Sequence, residues 1–367
     1  MVLIIGIFVL YNCILCYIGW NGWKWIKAIA FHKRIPFAYV YLLVYLIFAY
    51  SFVIARFWDW LGIFTWMGAI WLGMLFFLCL SLPVVNLLVW LSRFTSIEKW
   101  VVIKWSGLAV TIGIISLFII GIFNAYSPVV RTYNININKP VSGKNSMKIV
   151  MASDLHFGKL AGAGQAAKLA AAIKKENPDL VLLPGDIIDD EIAPFLEEGI
   201  PNIFKKIQQP IFAVLGNHDR ERTAVDLIQI FNNSGMKVLD DETIVLENGV
   251  TLVGRRDRGY QDVNRKKLAQ LMSNVDKSKP VILLDHQPYD LVIAADNGVD
   301  LMLSGHTHRG QIAPGNLITK RLFENDWGYV KRGKMQSIVS SGYGFWGTPL
   351  RIGTRSEIVV INIHFKP

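Results

Sequence analysis

The sequence predicts an α/β (α+β) domain with a partly parallel sheet, preceded by an all-α membrane domain of about four helices. Three observations predict it. Apolar residues make up 52% of the 367-residue chain, and before residue 130 they gather in runs near the length that crosses a bilayer. After residue 145, short apolar runs alternate with helical stretches, the pattern of βαβ units. Several of those runs end in Asp, Asn or His, and α/β folds place their sites at strand ends.

Residues 2–18 form an uncharged apolar run without the basic start of a secretory signal, and read as a retained span. Runs at 37–55, 61–91 and 105–124 follow. The third, with Pro83 near its end, is long enough to need tilt or an interfacial end. Trp58, Trp60, Trp66, Trp90, Trp100 and Trp105 stand at or near the run ends, as an interfacial belt requires. Lys24, Lys27, Lys33 and Arg34 fill the first loop, and Arg93, Lys99 and Lys104 the third, while the second is nearly neutral around Arg56 and Asp59. The positive-inside rule puts the first and third loops in the cytoplasm. The expectation is a multi-pass integral protein of the cytoplasmic membrane, with everything after residue 124 on the extracytoplasmic side.

The net charge of +10 divides unevenly: residues 1–130 carry 8 Lys and Arg against 2 Asp and Glu, the rest 30 against 26. The excess is in part a topology signal. With no Lys/Arg-rich run and no basic groove interleaved with aromatics, the chain carries no nucleic-acid footprint. Cys13, Cys16 and Cys79 all lie in apolar runs. Cys13-x-x-Cys16 reads as small apolar side chains of a membrane helix rather than a redox pair, and the globular part has no cysteine for an internal disulfide.

Residues 125–145 read as a linker, with Ser127-Pro128 and Lys139-Pro140 as breakers, and 146–367 as the globular domain. Strands are expected at 147–152, 180–184 and 211–215, with helices at 162–176, stopping before Pro178, and at 223–233. Short strands follow at 236–239, 243–247 and 250–254, the last two joined by an Asn248-Gly249 turn. A helix at 264–273, strands at 281–284 and 299–303, and a β-like tail at 337–341 and 356–363 complete the reading.

The chemistry lies in Asp154-Leu155-His156, Gly185-Asp186, Gly216-Asn217-His218-Asp219, His286 and Gly305-His306-Thr307-His308. Mixed imidazole and carboxylate sites suit divalent metals of borderline hardness. A pair of such ions needs one bridging carboxylate and separate ligands on either side, and Asp186 is the best bridge. A lone His is usually a surface or core residue, and His32 and His364 are read so. The other five fall in one ordered pattern.

That pattern resembles the calcineurin-like metallophosphoesterase superfamily over roughly residues 147–363. Ser304-Gly305-His306-Thr307-His308 and the stretch from Tyr343 to Gly353 look like its membrane-attached bacterial branch. The resemblance implies a four-layer sandwich of two mixed β-sheets flanked by helices, and two divalent metal ions, Mn first, with Fe and Zn as alternatives. One ion would be held by Asp154, His156, Asp186 and His308, the other by Asp186, Asn217, His286 and His306. His218 would face the substrate phosphate, oriented by Asp219. The roles also follow from the residue types. Two close cations acidify a water and neutralise phosphate oxygens. A histidine stabilises developing charge or protonates the leaving oxygen, and a carboxylate fixes its ring. Asp189 and Asp190 are read as supporting or structural. Relatives in this branch continue with Gly-Gly-Gln after Gly-His-Thr-His, whereas here Arg309-Gly310-Gln311 follows. Arg309 is either a substrate-phosphate contact or an outward loop arginine.

The expected activity is metal-dependent hydrolysis of a phosphate ester, by a phosphatase or a phosphodiesterase. A membrane-attached site favours a phospholipid or lipid-linked substrate. Arg255, Arg256, Arg258, Arg309, Lys331, Arg332 and Arg351 are candidates for an anionic-headgroup surface. Trp327, Tyr329, Phe345 and Trp346 are candidates to seat an acyl chain or the bilayer boundary. The alternatives are a tethered hydrolase of soluble phosphoesters, or of a nucleotide-linked acylated sugar pyrophosphate, which requires a cytoplasmic site. A non-enzymatic metal-dependent scaffold is disfavoured by the intact ligand set. The sequence leaves oligomeric state open.

Overall fold

The computed structural model describes residues 2–29, 35–57, 62–219, 226–259 and 264–366. His32, Lys33, Arg34, Trp58, Asp59, Trp60 and the start of the helix expected at 223–233 lie outside the described residues. The chain divides into two units, Met1–Ile120 with Gly347–Pro349, and Gly121–Trp346 with Leu350–Pro367.

The first unit is helical. Its helices are α1 (Val2–Ile29), α2 (Ile35–Ala49), α3 (Ser51–Phe57), α4 (Gly62–Leu91) and α5 (Lys99–Tyr126), the last of which continues into the second unit. Three of them are long and apolar enough to cross a membrane, or four spans if α2 and α3 count as one. α1 runs past the expected end at 18 to Ile29, across Gly19 and Gly22: no proline intervenes, and Lys24 and Lys27 lay their ammonium groups over Trp20 and Trp23. The run expected at 37–55 is bent by 59° between α2 and α3. There the Ser51 hydroxyl turns back to donate to the Phe48 carbonyl, a bond that bends helices. Leu3, Leu43, Ile63 and Ile119 lie exposed on the helices, a surface suited to lipid and costly in water. Where the helices meet, buried polar groups pair: Trp71 Nε1 donates to Tyr11 Oη at 2.9 Å, and Tyr11 donates to the Ala49 carbonyl at 2.6 Å.

The second unit holds two six-stranded mixed sheets. The strands are β1 (Val129–Ile137), β2 (Ser146–Met151), β3 (Leu180–Pro184), β4 (Ile211–Val214), β5 (Met236–Val238), β6 (Glu242–Val245), β7 (Thr251–Gly254), β8 (Val281–Leu284), β9 (Leu301–Ser304), β10 (Gly328–Arg332), β11 (Met335–Val339) and β12 (Glu357–Phe365). The first sheet runs β1-β12-β2-β3-β4-β5 and the second β10-β11-β9-β8-β7-β6. β2, β3, β4 and β5 are parallel, as are β11, β9, β8 and β7. Alternation along β2 shows the layering: Ile149 and Met151 enter a core shared with Ile282, Leu284, Leu301 and Leu303 of the second sheet, while Val150 faces the helical side. α6 (Ala163–Glu176), α7 (Ala193–Glu197), α8 (Ile200–Phe204) and α9 (Leu227–Asn233) cover the first sheet, and α10 (Leu268–Leu271) and α11 (Leu291–Asp296) the second. This is the expected sandwich of two mixed sheets flanked by helices. One further helix, α12 (Gly315–Leu322), buries none of its residues.

The linker expectation needs correction. Residues 129–137 are strand β1, paired in parallel with β12 from Val129–Glu357 to Ile137–Phe365. Ser127-Pro128 and Lys139-Pro140 bound the strand and do not break it, and its alternating burial marks a half-exposed edge. The Asn248-Gly249 turn joins β6 and β7 as expected.

Candidate metal centre

The carboxyl ends of β2, β3 and β4 in one sheet and of β8 and β9 in the other converge, and every sequence-predicted ligand lies on the loop that follows one of them. Backbone bonds hold the loops in register: the N–H groups of Leu155 and His156 donate to the Asp186 carbonyl at 2.7 and 3.1 Å. Asp154, His156, Asp186, His306 and His308 all have positive φ, between 46° and 71°. Left-handed backbone at five non-glycine residues of one site is strain that the surrounding sheets must sustain. Glycine is required where backbones crowd. A Cβ on Gly216 would strike Asp186 Oδ1, and one on Gly305 would strike Asp154 Oδ2.

The donor atoms of the expected ligands form two groups around Asp186, and a third set, His156, Asp189 and His218, adjoins the first. In the first, Asp154, His156 and His308 offer ligand atoms within 4.8 Å of one another, and Asp186, His286 and His306 do the same in the second. His156 Nε2 lies 3.1 Å from His308 Nε2 and 3.7 Å from Asp186 Oδ2. His286 Nε2 lies 3.1 Å from Asp186 Oδ2 and 3.1 Å from Asn217 Oδ1. His306 Nδ1 is 2.7 Å from the same Asn217 oxygen. Asp186 is anchored by one oxygen, Oδ1 on the His218 N–H at 2.8 Å, and Asp154 by both, Oδ1 on the His306 N–H at 2.7 Å and Oδ2 on the Ser153 hydroxyl. Asp186 Oδ2 is thereby left between the two groups.

The hydrogen-bond chemistry at His286 tests whether a cation fits. Its Nδ1 stands 2.9 Å from the Pro184 carbonyl, which only accepts, so Nδ1 carries the proton. In the neutral ring, the Nε2 lone pair then faces a carboxylate oxygen and an amide oxygen. Only a positive charge reconciles these three acceptors. Burial opposes protonation of His286, but the Asp186 charge and hydrogen bond lift its pKa well above the ordinary histidine value. Burial likewise opposes the Asp186 anion, and His286 more than compensates, holding it far below the usual carboxylate range. A divalent ion would take the place of that proton. On the other side, burial, His156 and Arg351 hold His308 well below its ordinary value.

His218 is half-buried on the open side, its ring 4.9 Å from that of His156 and 6.0 Å from that of Trp346. Its predicted orienter is corrected by the structure. Asp219 does not reach the ring: its carboxylate accepts from the N–H groups of Ile187, Ile188 and Gly216 at 2.8 to 2.9 Å and ties the loops after β3 and β4 together. Burial and the nearby Asp186 charge push Asp219 up to about 7. The His218 partner is Asp190, with Oδ1 3.0 Å from Nδ1. Burial would lower the His218 pKa, but the Asp190 hydrogen bond and the Asp186 charge raise it. Asp189 supports His156 in the same way, Oδ1 to Nδ1, at 3.2 Å. The sequence signal for both was the acidic pair itself, a few residues past Asp186.

Arg351 was read as surface and is fully buried. Its guanidinium donates to the Gly344 carbonyl at 2.6 and 3.0 Å and lies 3.2 Å from His308 Nδ1. The available signal was a lone charge between Leu350 and Ile352. Other members of the expected headgroup surface also have partners: Arg255 pairs with the buried Asp285, which Arg265 joins from outside that set, Arg256 pairs with Asp240, Arg258 with Asp290, and Arg332 with Glu324. Arg309 lies over the Trp327 ring at 3.8 Å. Phe345 is buried against Tyr126, whereas Trp346 is 57% exposed.

Comparison with known proteins agrees with this geometry. Residues 147–310 match the family described as calcineurin-like phosphoesterase. A protein described as a metallophosphoesterase from Aquifex aeolicus is 31% identical over 268 residues, covering 68% of this chain and 99% of that one. One from Campylobacter jejuni is 30% identical over 269 residues, covering 69% and 70%. A Danio rerio protein described as a transmembrane protein with metallophosphoesterase domain is 28% identical over 328 residues, covering 79% and 73%. The chain spans 60% of the length of a Helicobacter pylori relative that it matches at 33% identity. Among solved structures, an NAD nucleotidase of Haemophilus influenzae aligns with a TM-score of 0.38 at 17% identity, over 54% of this chain and 45% of that one, too remote to transfer an activity. The chain belongs to the calcineurin-like metallophosphoesterases.

Proposed function

We propose that the protein is a membrane-anchored, dinuclear metal-dependent phosphoesterase. The observation that carries this reading is the buried His286 Nε2 facing two oxygens, a place that needs a positive charge, beside an Asp186 oxygen left between two ligand groups. Asp154, His156, Asp186 and His308 would hold one ion and Asp186, Asn217, His286 and His306 the other, with Mn favoured and Fe or Zn compatible with the same donors. Such ions, when bound, neutralise phosphate oxygens and acidify the attacking water. His218 stands beside them on the open side and, held by Asp190, meets the phosphate and gives a proton to the leaving oxygen. Asp219 acts on the loops and not on the proton.

For the substrate we favour a phospholipid or other lipid-linked phosphate ester. Aromatic rings at the mouth support this reading: Trp346 beside His218, and Phe323 with its ring 6.0 Å from His306. The arginines do not, since most are spent in ion pairs. The basic first and third loops support four spans and an extracytoplasmic hydrolytic domain.

Detergent-purified protein is expected to hydrolyse p-nitrophenyl phosphate or bis(p-nitrophenyl) phosphate with Mn²⁺, to lose that activity to a chelator and to regain it on adding metal. Metal-loaded protein inert towards both esters and towards a panel of lipid phosphates ends the proposal. For sidedness, Ser278→Cys in intact cells is expected to react with a membrane-impermeant maleimide. Labelling only after lysis places the domain inside.

A further inference from the structure

The helical unit contains a cavity of about 520 Å³. Trp71, Leu78, Val85 and Val89 of α4 wall it from one face, at helical spacing, and α1, α2 and α5 each present one face as well. Its walls are mostly carbon, with Asn21, Asn86 and Thr111 as the uncharged polar exceptions beside the two tyrosines. The Tyr41 and Tyr45 hydroxyls, which would otherwise make it polar, donate to the Gly19 and Leu15 carbonyls at 2.8 Å. Gly22 and Gly107 let the Tyr41 and Trp25 side chains pack close against α1 and α5. From Trp71 to Trp90, α4 rises about 28 Å at ~1.5 Å per residue, close to the ~30 Å of a bilayer's hydrocarbon layer.

One end of the cavity differs. There the lining includes Lys24, Trp25, Trp90 and Lys99. Neither lysine has a carboxylate within ion-pair distance among the described residues. The adjacent Glu98 accepts from Trp100 Nε1 instead. Long apolar walls ending in indoles and two unneutralised ammonium groups match one molecule part by part: an acyl chain, an interfacial glycerol ester and an anionic phosphate.

We propose that this cavity is a resident site for an anionic phospholipid, one acyl chain lying along the α4 face and the headgroup phosphate between Lys24 and Lys99. The site lies wholly within the helical unit and needs neither metal nor cleavage, so it stands apart from the hydrolytic reading. Water does not suit a space with apolar walls, and a zwitterionic lipid leaves the lysine pair without a net counter-charge.

The test uses the full chain in mild detergent, exposed to phosphatidylglycerol and phosphatidylcholine of matched chains and weighed by native mass spectrometry. Retention of one phosphatidylglycerol is expected, preferred over phosphatidylcholine by about tenfold or more. Lys24→Gln with Lys99→Gln is expected to abolish the preference while leaving some lipid bound. Val85→Trp, which fills the space, is expected to abolish retention of either lipid. Equal retention of the two lipids by the unaltered protein, an unchanged preference in the lysine variant, or undiminished retention in a folded Val85→Trp protein each overturns the proposal. The exposed lysine pair carries the test should the filled variant fail to fold. Asp186→Asn protein is expected to retain the same lipid, which separates this site from any substrate complex at the metal centre.

Discussion

Asp154, His156 and His308 are 0%, 1% and 8% exposed, and each is held from behind, by the His306 N–H, by Asp189 and by Arg351. Across Asp186, the residues Asn217, His306 and His218 are half-buried, with only His286 of that group fully buried. The same loop-after-strand architecture thus makes a closed half and an open half. The closed half is organised to keep a ligand set rigid, because buried donors that cannot move lose little entropy when they bind. The open half leaves room for a phosphate and for the one histidine placed outside both ligand groups. The contrast assigns different losses to substitutions on the two sides.

The largest expected effect comes from the residue the halves share. Asp186→Asn should lower turnover by about a thousandfold or more, a loss of several kcal/mol of charge stabilisation, and reduce bound metal below two ions per chain by elemental analysis. Full metal content with full activity would break the comparison at its centre. His218→Ala, on the open half, should cost about 10²- to 10⁴-fold in kcat with metal content unchanged. Loss of metal in that variant would make His218 a ligand. Arg351→Met, behind the closed half, should act through the loop that the guanidinium ties down, lowering stability by about 1–3 kcal/mol as the buried Gly342 and Gly344 carbonyls lose their donor, read as a lower melting temperature. Asp219→Asn should act through the fold, lowering stability by about 1–3 kcal/mol as a buried acceptor of backbone N–H groups is disturbed, with kcat of the folded fraction retained. Asp190→Asn sharpens the same point from the other direction, with an expected kcat loss of about tenfold or less and an unchanged melting temperature.

Much of this molecule is local in origin, and local features can be read without coordinates. Five strands ending in Asp, Asn or His lie where their apolar runs and terminal glycines put them, because a short apolar run with a breaker after it has few other ways to fold. The helical unit announces itself by composition alone. The misread parts are those in which context decides. β1 has the polar alternation of a half-exposed edge, and only its partner β12 distinguishes it from a linker. Arg351 looks like any loop arginine until the Gly342 and Gly344 backbone closes over it.

By itself, then, the order of residues determined that a long apolar part precedes an α/β part and which side chains are candidates for metal chemistry, since periodicity and ligand type are properties of short segments; that the strands divide into two sheets is a tertiary outcome. Which carboxylate touches which imidazole was decided only in three dimensions. Asp189, Asp190 and Asp219 are chemically alike and close in sequence to the residues they might serve. The paths of the loops after β3 and β4 send the first to His156, the second to His218 and the third to backbone amides, because a hydrogen bond forms only where donor and acceptor come within about 3 Å in line.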